Sequence, residues 1–261
     1  MVQKNLSLAN QLIATVPPQE RARLLDHSEL VELELHAMVC TAGEISGHVW
    51  FPVEGFVSVI LPAPAAAMVV AQVGPEGMFH TSAVLDVERS AFHARVQAAG
   101  RAFRMTRTCL QQHLLQSPCL REVLNRYADV RLSQLAQQTV CINHHSVEQR
   151  LARALLMTRD RLASNEIFLT HEAFSLMLGV RRESVTQAAS AFQRRGLISY
   201  SRGYVMLLDE AALESVVCSC YAADLSTYER AFPGARAIGA TRPEVPVFSC
   251  CEDSPAAVTS R

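Results

Sequence analysis

Seven consecutive positions, Arg181 to Gln187, hold the side chains of this sequence best suited to reading another molecule: Arg181, Arg182, Glu183, Ser184, Thr186 and Gln187 around one apolar residue, Val185. A guanidinium can fork onto the O6 and N7 acceptors of guanine, and a glutamate can accept from the N4 amine of cytosine. Helical neighbours do not face each other, so Arg182 and Glu183 would address different partners. The flanking residues fix where this cluster stands. Thr170 is a good N-cap for a short helix carrying Ala173, Phe174, Met177 and Leu178. Ser175 is small where two helices must approach, and Gly179 can take a positive φ and turn the chain. Val185, Ala188, Ala189 and Phe192 then form the apolar face of a second helix, which Gly196 stops. A small residue, a glycine and an apolar residue at these offsets are the signature of a helix-turn-helix. Leu197 to Leu208 reads as two short strands around Ser201-Arg202-Gly203, a wing with Arg202 at its tip. From Asn165 to Leu208 five arginines face three glutamates, a net of +2. The expected partner is double-stranded DNA, with Arg181, Arg182, Glu183, Ser184, Thr186, Gln187, Thr170 and Arg202 as the contacting residues.

Other chemistry is thinly supported. There is no nucleophile elbow, P-loop, H-E-x-x-H or G-x-G-x-x-G, so an enzyme is not expected. Glu32 and Glu34 alternate on one strand and read more simply as solvent-facing than as a catalytic pair. The eight cysteines include no C-x2-C: Cys218-Ser-Cys220 and Cys250-Cys251 lie beyond the wing, and Cys40, Cys109, Cys119 and Cys141 are scattered. That spacing gives no reason to expect a metal, so no metal ligand is assigned. His144-His145 reads as polar residues in a hinge, with haem or metal ligation the minor alternative.

The elements that would position the reading residues follow from periodicity. Leu8, Leu12 and Ile13 recur at helical spacing, and Pro17-Pro18 opens a second helix with Leu24 and Leu25 inside. Val31, Leu33 and Leu35 alternate with Glu32, Glu34 and His36, a half-buried strand. Further β-rich runs cover 48–51, 56–61, 68–73, 91–98 and 102–105, separated by glycine and proline turns; together they suggest a small antiparallel barrel or roll. From Pro118 to about Ile142 apolar residues return at threes and fours, roughly 37 Å of helix. Its stripe is wider than one roll covers, so it is expected to pair with its own copy, packing on its own domain alone being the alternative. Ser146 and Gln149 resemble a capping box that starts the next unit.

Composition sets the limits. The chain has 261 residues, 49% of them hydrophobic, enough for one large domain or two modest ones with a real core. With 24 basic and 25 acidic side chains, any nucleic-acid surface must be local. Lys4 is the sole lysine, so almost all positive charge is arginine. The N-terminus shows no signal-peptide core, which implies a cytoplasmic protein with reduced thiols. Residues 55–75 carry no charge, but Pro62 and Pro64 interrupt them; the run reads as two strands about a turn, not a membrane span.

At residues 169–199 the sequence resembles the Crp/Fnr family of bacterial transcription regulators, with Gly179-Val-Arg-Arg-Glu-Ser-Val185 matching that family's G-x-x-R-E-[ST]-V. The similarity extends over roughly 6–215. Residues 48–58 and 73–78 are similar to a branch whose effectors are mostly undefined. The resemblance implies an α+β fold: an N-terminal antiparallel β-roll of the cyclic-nucleotide-binding type, a long dimerisation helix and a C-terminal winged helix-turn-helix. The corresponding boundaries are a sensor roll at 1–117, helix and hinge at 118–145, the DNA-binding domain at 146–215 and a partly disordered tail at 216–261. It implies a homodimer on a pseudo-palindromic operator, with RNA polymerase as a further partner; a signalling module acting through protein contacts is the alternative. The family's pattern continues with a further arginine where this chain has Gln187. Cyclic-nucleotide binders of this fold hold the phosphate with Gly-Glu-Leu and a later Arg-[Ser/Thr]-Ala. Here Arg89-Ser-Ala91 matches the second half, while Glu76-Gly77 stands for the first without the Gly-Glu-Leu register. Glu76, Gly77, Arg89, Ser90 and Ala91 are thus the candidate effector residues and a cyclic nucleotide one candidate ligand; Arg89 is either a phosphate anchor or an ordinary surface arginine.

Overall fold

The computed structural model describes residues 8–63 and 67–235. Two short helices come first, α1 (Gln11–Ala14) and α2 (Pro18–Asp26). Asn10 caps α1 by accepting from the Ile13 N–H at 2.9 Å, and Pro18 opens α2 where a missing N–H does no harm. Seven strands follow: β1 (Glu29–Leu33), β2 (Met38–Cys40), β3 (His48–Pro52), β4 (Phe56–Leu61), β5 (Met68–Val73), β6 (His93–Ala98) and β7 (Gly100–Thr106). They form two antiparallel sheets, ordered β1-β7-β3 and β2-β6-β4-β5. The alternation read as a strand through Leu35 stops at Leu33. His36 adopts a left-handed conformation, φ +68°, and this bend leaves Leu35 exposed. The uncharged run at 55–75 is the β4 and β5 pair, and among the described residues no helix is long and apolar enough to cross a membrane.

The roll is closed by α3 (Arg107–Gln116) and by α4 (Pro118–His144), 27 residues long. Ser117 caps α4 by accepting from the Leu120 N–H, and Pro118 occupies its first turn. Leu120, Val123, Leu124, Tyr127 and Val130 face the core made with Phe51, Met78 and Phe103. Ser146 then starts α5 (Val147–Leu162) with both bonds of a capping box: its hydroxyl accepts from Gln149 N–H, and the Gln149 side chain accepts from the Ser146 N–H. Beyond it lie β8 (Glu166–Phe168), α6 (His171–Leu178), α7 (Arg182–Arg194), β9 (Ile198–Ser201) and β10 (Tyr204–Leu207). The strands form a small antiparallel sheet, β8-β10-β9. Leu155, Leu156, Phe174, Val185, Phe192 and Val205 build the core of this unit, which Phe56 of β4 also joins.

Two more helices end the described chain, α8 (Glu210–Val216) and α9 (Cys220–Ala231). α9 lies inside the stretch 216–261 that the sequence suggested as a partly disordered tail, and its residues are packed. Tyr228 and Phe232 are buried against the core on which Tyr127 and Val130 of α4 pack, and the Tyr228 hydroxyl donates to the Glu76 carbonyl at 2.7 Å. Long-range packing, not local periodicity, holds α9. Residues 236–261, including Cys250-Cys251, lie outside the described residues.

Candidate nucleic-acid interface

The interface is built on the corner between α6 and α7. Thr170 caps α6, its hydroxyl oxygen accepting from the Ala173 N–H at 3.1 Å. Gly179 ends α6 at φ +59° and ψ +41°, the left-handed turn a side chain adopts only with strain. Its α-carbon also comes close to the roll: a Cβ there would lie 3.4 Å from the terminal carbon of Met68 on β5. The helix that follows is divided lengthwise. Val185, Ala188, Ala189 and Phe192 are buried, while Arg181, Arg182, Glu183, Thr186 and Gln187 are exposed, with Ser184 between. Arg181 is the N-cap and Arg182 the first helical residue, so both guanidiniums leave from the positive end of the helix. The Thr186 hydroxyl is within 3.0 Å of both the Arg182 carbonyl, to which it donates, and Nδ1 of His171.

His171 anchors the corner from α6. Its ring stacks on Tyr200 at 4.3 Å between centroids and 14° between planes, and the Tyr200 hydroxyl donates to the Leu169 carbonyl. Burial first, then the Arg182 charge, pushes the His171 pKa below its ordinary value and so favours the neutral ring, which sits as a spacer between α6, α7 and the wing. Sequence reading missed His171, since nothing in a lone histidine at a helix start tells where its ring stacks. The wing itself is a two-residue hairpin. Ser201 pairs with Tyr204 across Arg202 at φ +49° and Gly203 at φ +89°, the positive-φ pair of a type I′ turn. Arg202 is exposed at the tip. Exposed residues of the α7 tip and the wing tip therefore belong to one folded unit, with Arg194 and Arg195 exposed at the far end of α7.

The remaining candidates have other surroundings. Glu76 is buried, its Oε1 accepting from Arg161 Nε at 2.8 Å and its Oε2 from the Gly74 N–H at 3.1 Å. Gly77 packs so tightly under Tyr127 that a Cβ would stand 1.9 Å from its hydroxyl oxygen. Arg89 is exposed and donates to the Gly43 carbonyl at 2.8 Å, Ser90 donates to the Phe92 carbonyl, and Ala91 is exposed. The two halves of the suggested phosphate cradle thus have separate partners. The cysteines behave differently from their spacing: Cys141, Cys218 and Cys220, with His145 of the hinge, converge on one point at the end of α4. A chain separation of 77 residues hid that meeting from the sequence.

Comparison with known proteins agrees with this geometry. Residues 149–216 match the Crp-like helix-turn-helix domain. A search of curated proteins found no match. The fold is similar to that of FixK2 from Bradyrhizobium japonicum, at TM-score 0.64 and 15% identity over 73% of this chain and 98% of that one. It is similar to the c-di-GMP responsive global regulator CLP of Xanthomonas campestris, at 0.61 and 17% over 73% and 99%. A third is a CRP-family transcriptional regulator from Thermus thermophilus, at 0.60 and 21% over 71% and 95%.

Proposed function

We propose that this chain, which has the fold of the Crp/Fnr transcription regulators and carries a Crp-like helix-turn-helix domain, is a sequence-specific DNA-binding regulator that works as a homodimer in the cytoplasm. One observation carries the reading: the polar half of α7, from Arg181 to Gln187, is exposed at the helix end that a helix-turn-helix directs into the major groove. Arg182 and Glu183 would read base edges, Arg181 and Gln187 flank them, and the exposed Thr170 and Arg202 would contact phosphate on either side. Affinity should fall steeply with salt, since arginines that neutralise phosphates release counterions.

The homodimer is supported by α4. On the face away from the core, Asp129, Leu132, Ala136, Val140 and Asn143 recur at threes and fours and are all exposed; Leu132 is 66% and Val140 48% accessible. A stripe at that spacing suits a helix pairing with its own copy about a two-fold axis, which would set two α7 tips about 34 Å apart and require a pseudo-palindromic site. RNA polymerase would be the further partner of such a regulator, and a small effector in the roll would act by shifting the population of dimer arrangements.

Selection of bound sites from random duplexes, with and without cyclic nucleotides, tests these statements together. The expected product is a two-fold symmetric site; no enrichment, beside a stable salt-insensitive protein complex, would favour a module acting through protein contacts. Within that experiment Arg182→Ala should weaken the selected site by about 1–3 kcal/mol and relax it at one base. Equal weakening on selected and random DNA would end the base-reading role of Arg182.

A further inference from the structure

Three thiols and an imidazole meet where the long helix ends. Cys141 is on the last turns of α4, and His145, four residues on, is its C-cap. Cys218 and Cys220 come from the short connection between α8 and α9. The four donor atoms all lie within 4.8 Å of one another: Cys141 Sγ is 3.6 Å from Cys218 Sγ, and Cys220 Sγ is 3.5 Å from His145 Nδ1. A zinc ion with Zn–S bonds of ~2.3 Å and Zn–N of ~2.0–2.1 Å places tetrahedral donors roughly 3.5–3.8 Å apart. These two separations are those of donors sharing one ion, and the other four are no wider than 4.8 Å. An iron–sulfur cluster spreads its thiolates over several irons and needs a wider set.

The surroundings point the same way. All three cysteines are buried, and among the described residues they form a cluster of their own, apart from the hydrophobic cores. The Gln137 side-chain amide donates to Cys220 Sγ at 3.0 Å, the outer-shell hydrogen bond that orients a thiolate ligand. Arg150 is buried beside the cluster, and its Nη2 has no hydrogen-bond partner among the described residues. A buried guanidinium requires compensating negative charge. Three thiolates and a neutral imidazole on one divalent ion carry a net charge of −1, which would supply it.

We propose that Cys141, Cys218, Cys220 and His145 form a closed, four-coordinate Zn2+ site that clips the start of α9 to the hinge end of α4. Three thiolates and one imidazole select a soft to borderline tetrahedral ion, and four protein ligands leave no open position, so the role is structural. The ion enters with loss of the thiol protons, so loading should acidify an unbuffered solution. All four ligands lie outside residues 149–216, the matched helix-turn-helix domain: Cys141 and His145 precede it, and Cys218 and Cys220 follow it. The site thus joins α9 and the winged unit to the same turn of α4, and it is independent of whether α7 reads DNA.

The test is metal analysis of the whole chain purified under reducing conditions, followed by titration of the chelator-stripped chain with Co2+. Working in a Cys109→Ser background removes a second, more exposed grouping of His27, Cys109 and His113. The proposal expects about one Zn2+ per chain, sulfur-to-cobalt charge-transfer bands with the strong visible bands of a tetrahedral ion, and loss of both in Cys218→Ser with Cys220→Ser. His145→Ala should keep the thiolate bands at a weaker affinity. Because the double variant could fail to fold, the titration of the stripped but otherwise unaltered chain decides by itself. A reduced chain, folded by circular dichroism, that binds neither ion stoichiometrically overturns the site. So does a Cys141–Cys218 disulfide in freshly isolated, metal-free protein.

Discussion

His171 couples the stability of the α6–α7 corner to pH. Its folded pKa is held below the ordinary value, so the unfolded chain takes up the proton more readily than the folded one. The stability this ring contributes is complete above about pH 6.5 and is lost as pH falls from there towards the lowered folded value. Thermal unfolding followed between pH 8 and pH 5 should show the winged unit weakening in acid, and His171→Asn should flatten that dependence; an unchanged slope in the variant would assign it to other groups, His80 among them, whose pKa burial also lowers. Gly77 makes a different point. No positive φ is needed to explain it, only the Tyr127 hydroxyl standing where a side chain would begin. Gly77→Ala should force that loop and α4 apart and cost about 1–3 kcal/mol, measurable by urea unfolding.

Among the elements, α7 was legible because its signals agree: a glycine turn before it, apolar residues at threes and fours within it, and Gly196 after it. The capping box at Ser146 was legible for the same reason, being local in sequence and in space, and Ser146→Ala should lower the stability of α5 by about 1 kcal/mol. The wing was legible from two short β-rich runs about Ser201-Arg202-Gly203. What escaped was non-local. Leu35 follows the alternation of its neighbours, yet His36 turns the chain away. In and just after α9, Tyr228 and Phe232 are held by residues of the roll and of α4 about a hundred or more positions earlier, so no window of sequence could announce them. The meeting of Cys141 with Cys218 and Cys220 is the same kind of event. The exposed polar run at the start of α7 could thus be read from sequence, while the histidine that braces that corner and the thiol cluster behind it could not.

At the scale of the whole molecule, the winged unit is docked on the roll. Gln72 of β5 donates to the Met177 sulfur of α6 at 3.6 Å, and the buried pair Arg161–Glu76, 2% and 3% exposed, joins α5 to the loop after β5. Neutralising one partner strands the other in the interior, so Glu76→Gln should cost about 3–5 kcal/mol, whereas replacing both by apolar residues of similar volume should be close to neutral. Unfolding of the single and double variants measures the difference; equal losses in both would show that the pair itself, and not the stranded charge, supplies the stability. On the opposite face of α4, Leu132→Glu should shift the chain towards monomer in light scattering while leaving its circular dichroism unchanged.

The turn from Gly74 to Phe79 joins these scales. Its carbonyls at Glu76 and Met78 accept the hydroxyls of Tyr228 from α9 and Tyr127 from α4, its one carboxylate holds α5, and its last residue bridges to Trp50 of β3. These six residues are thus held at once by the roll, α4, α5 and α9, so a substitution that displaces them should loosen all of those contacts together.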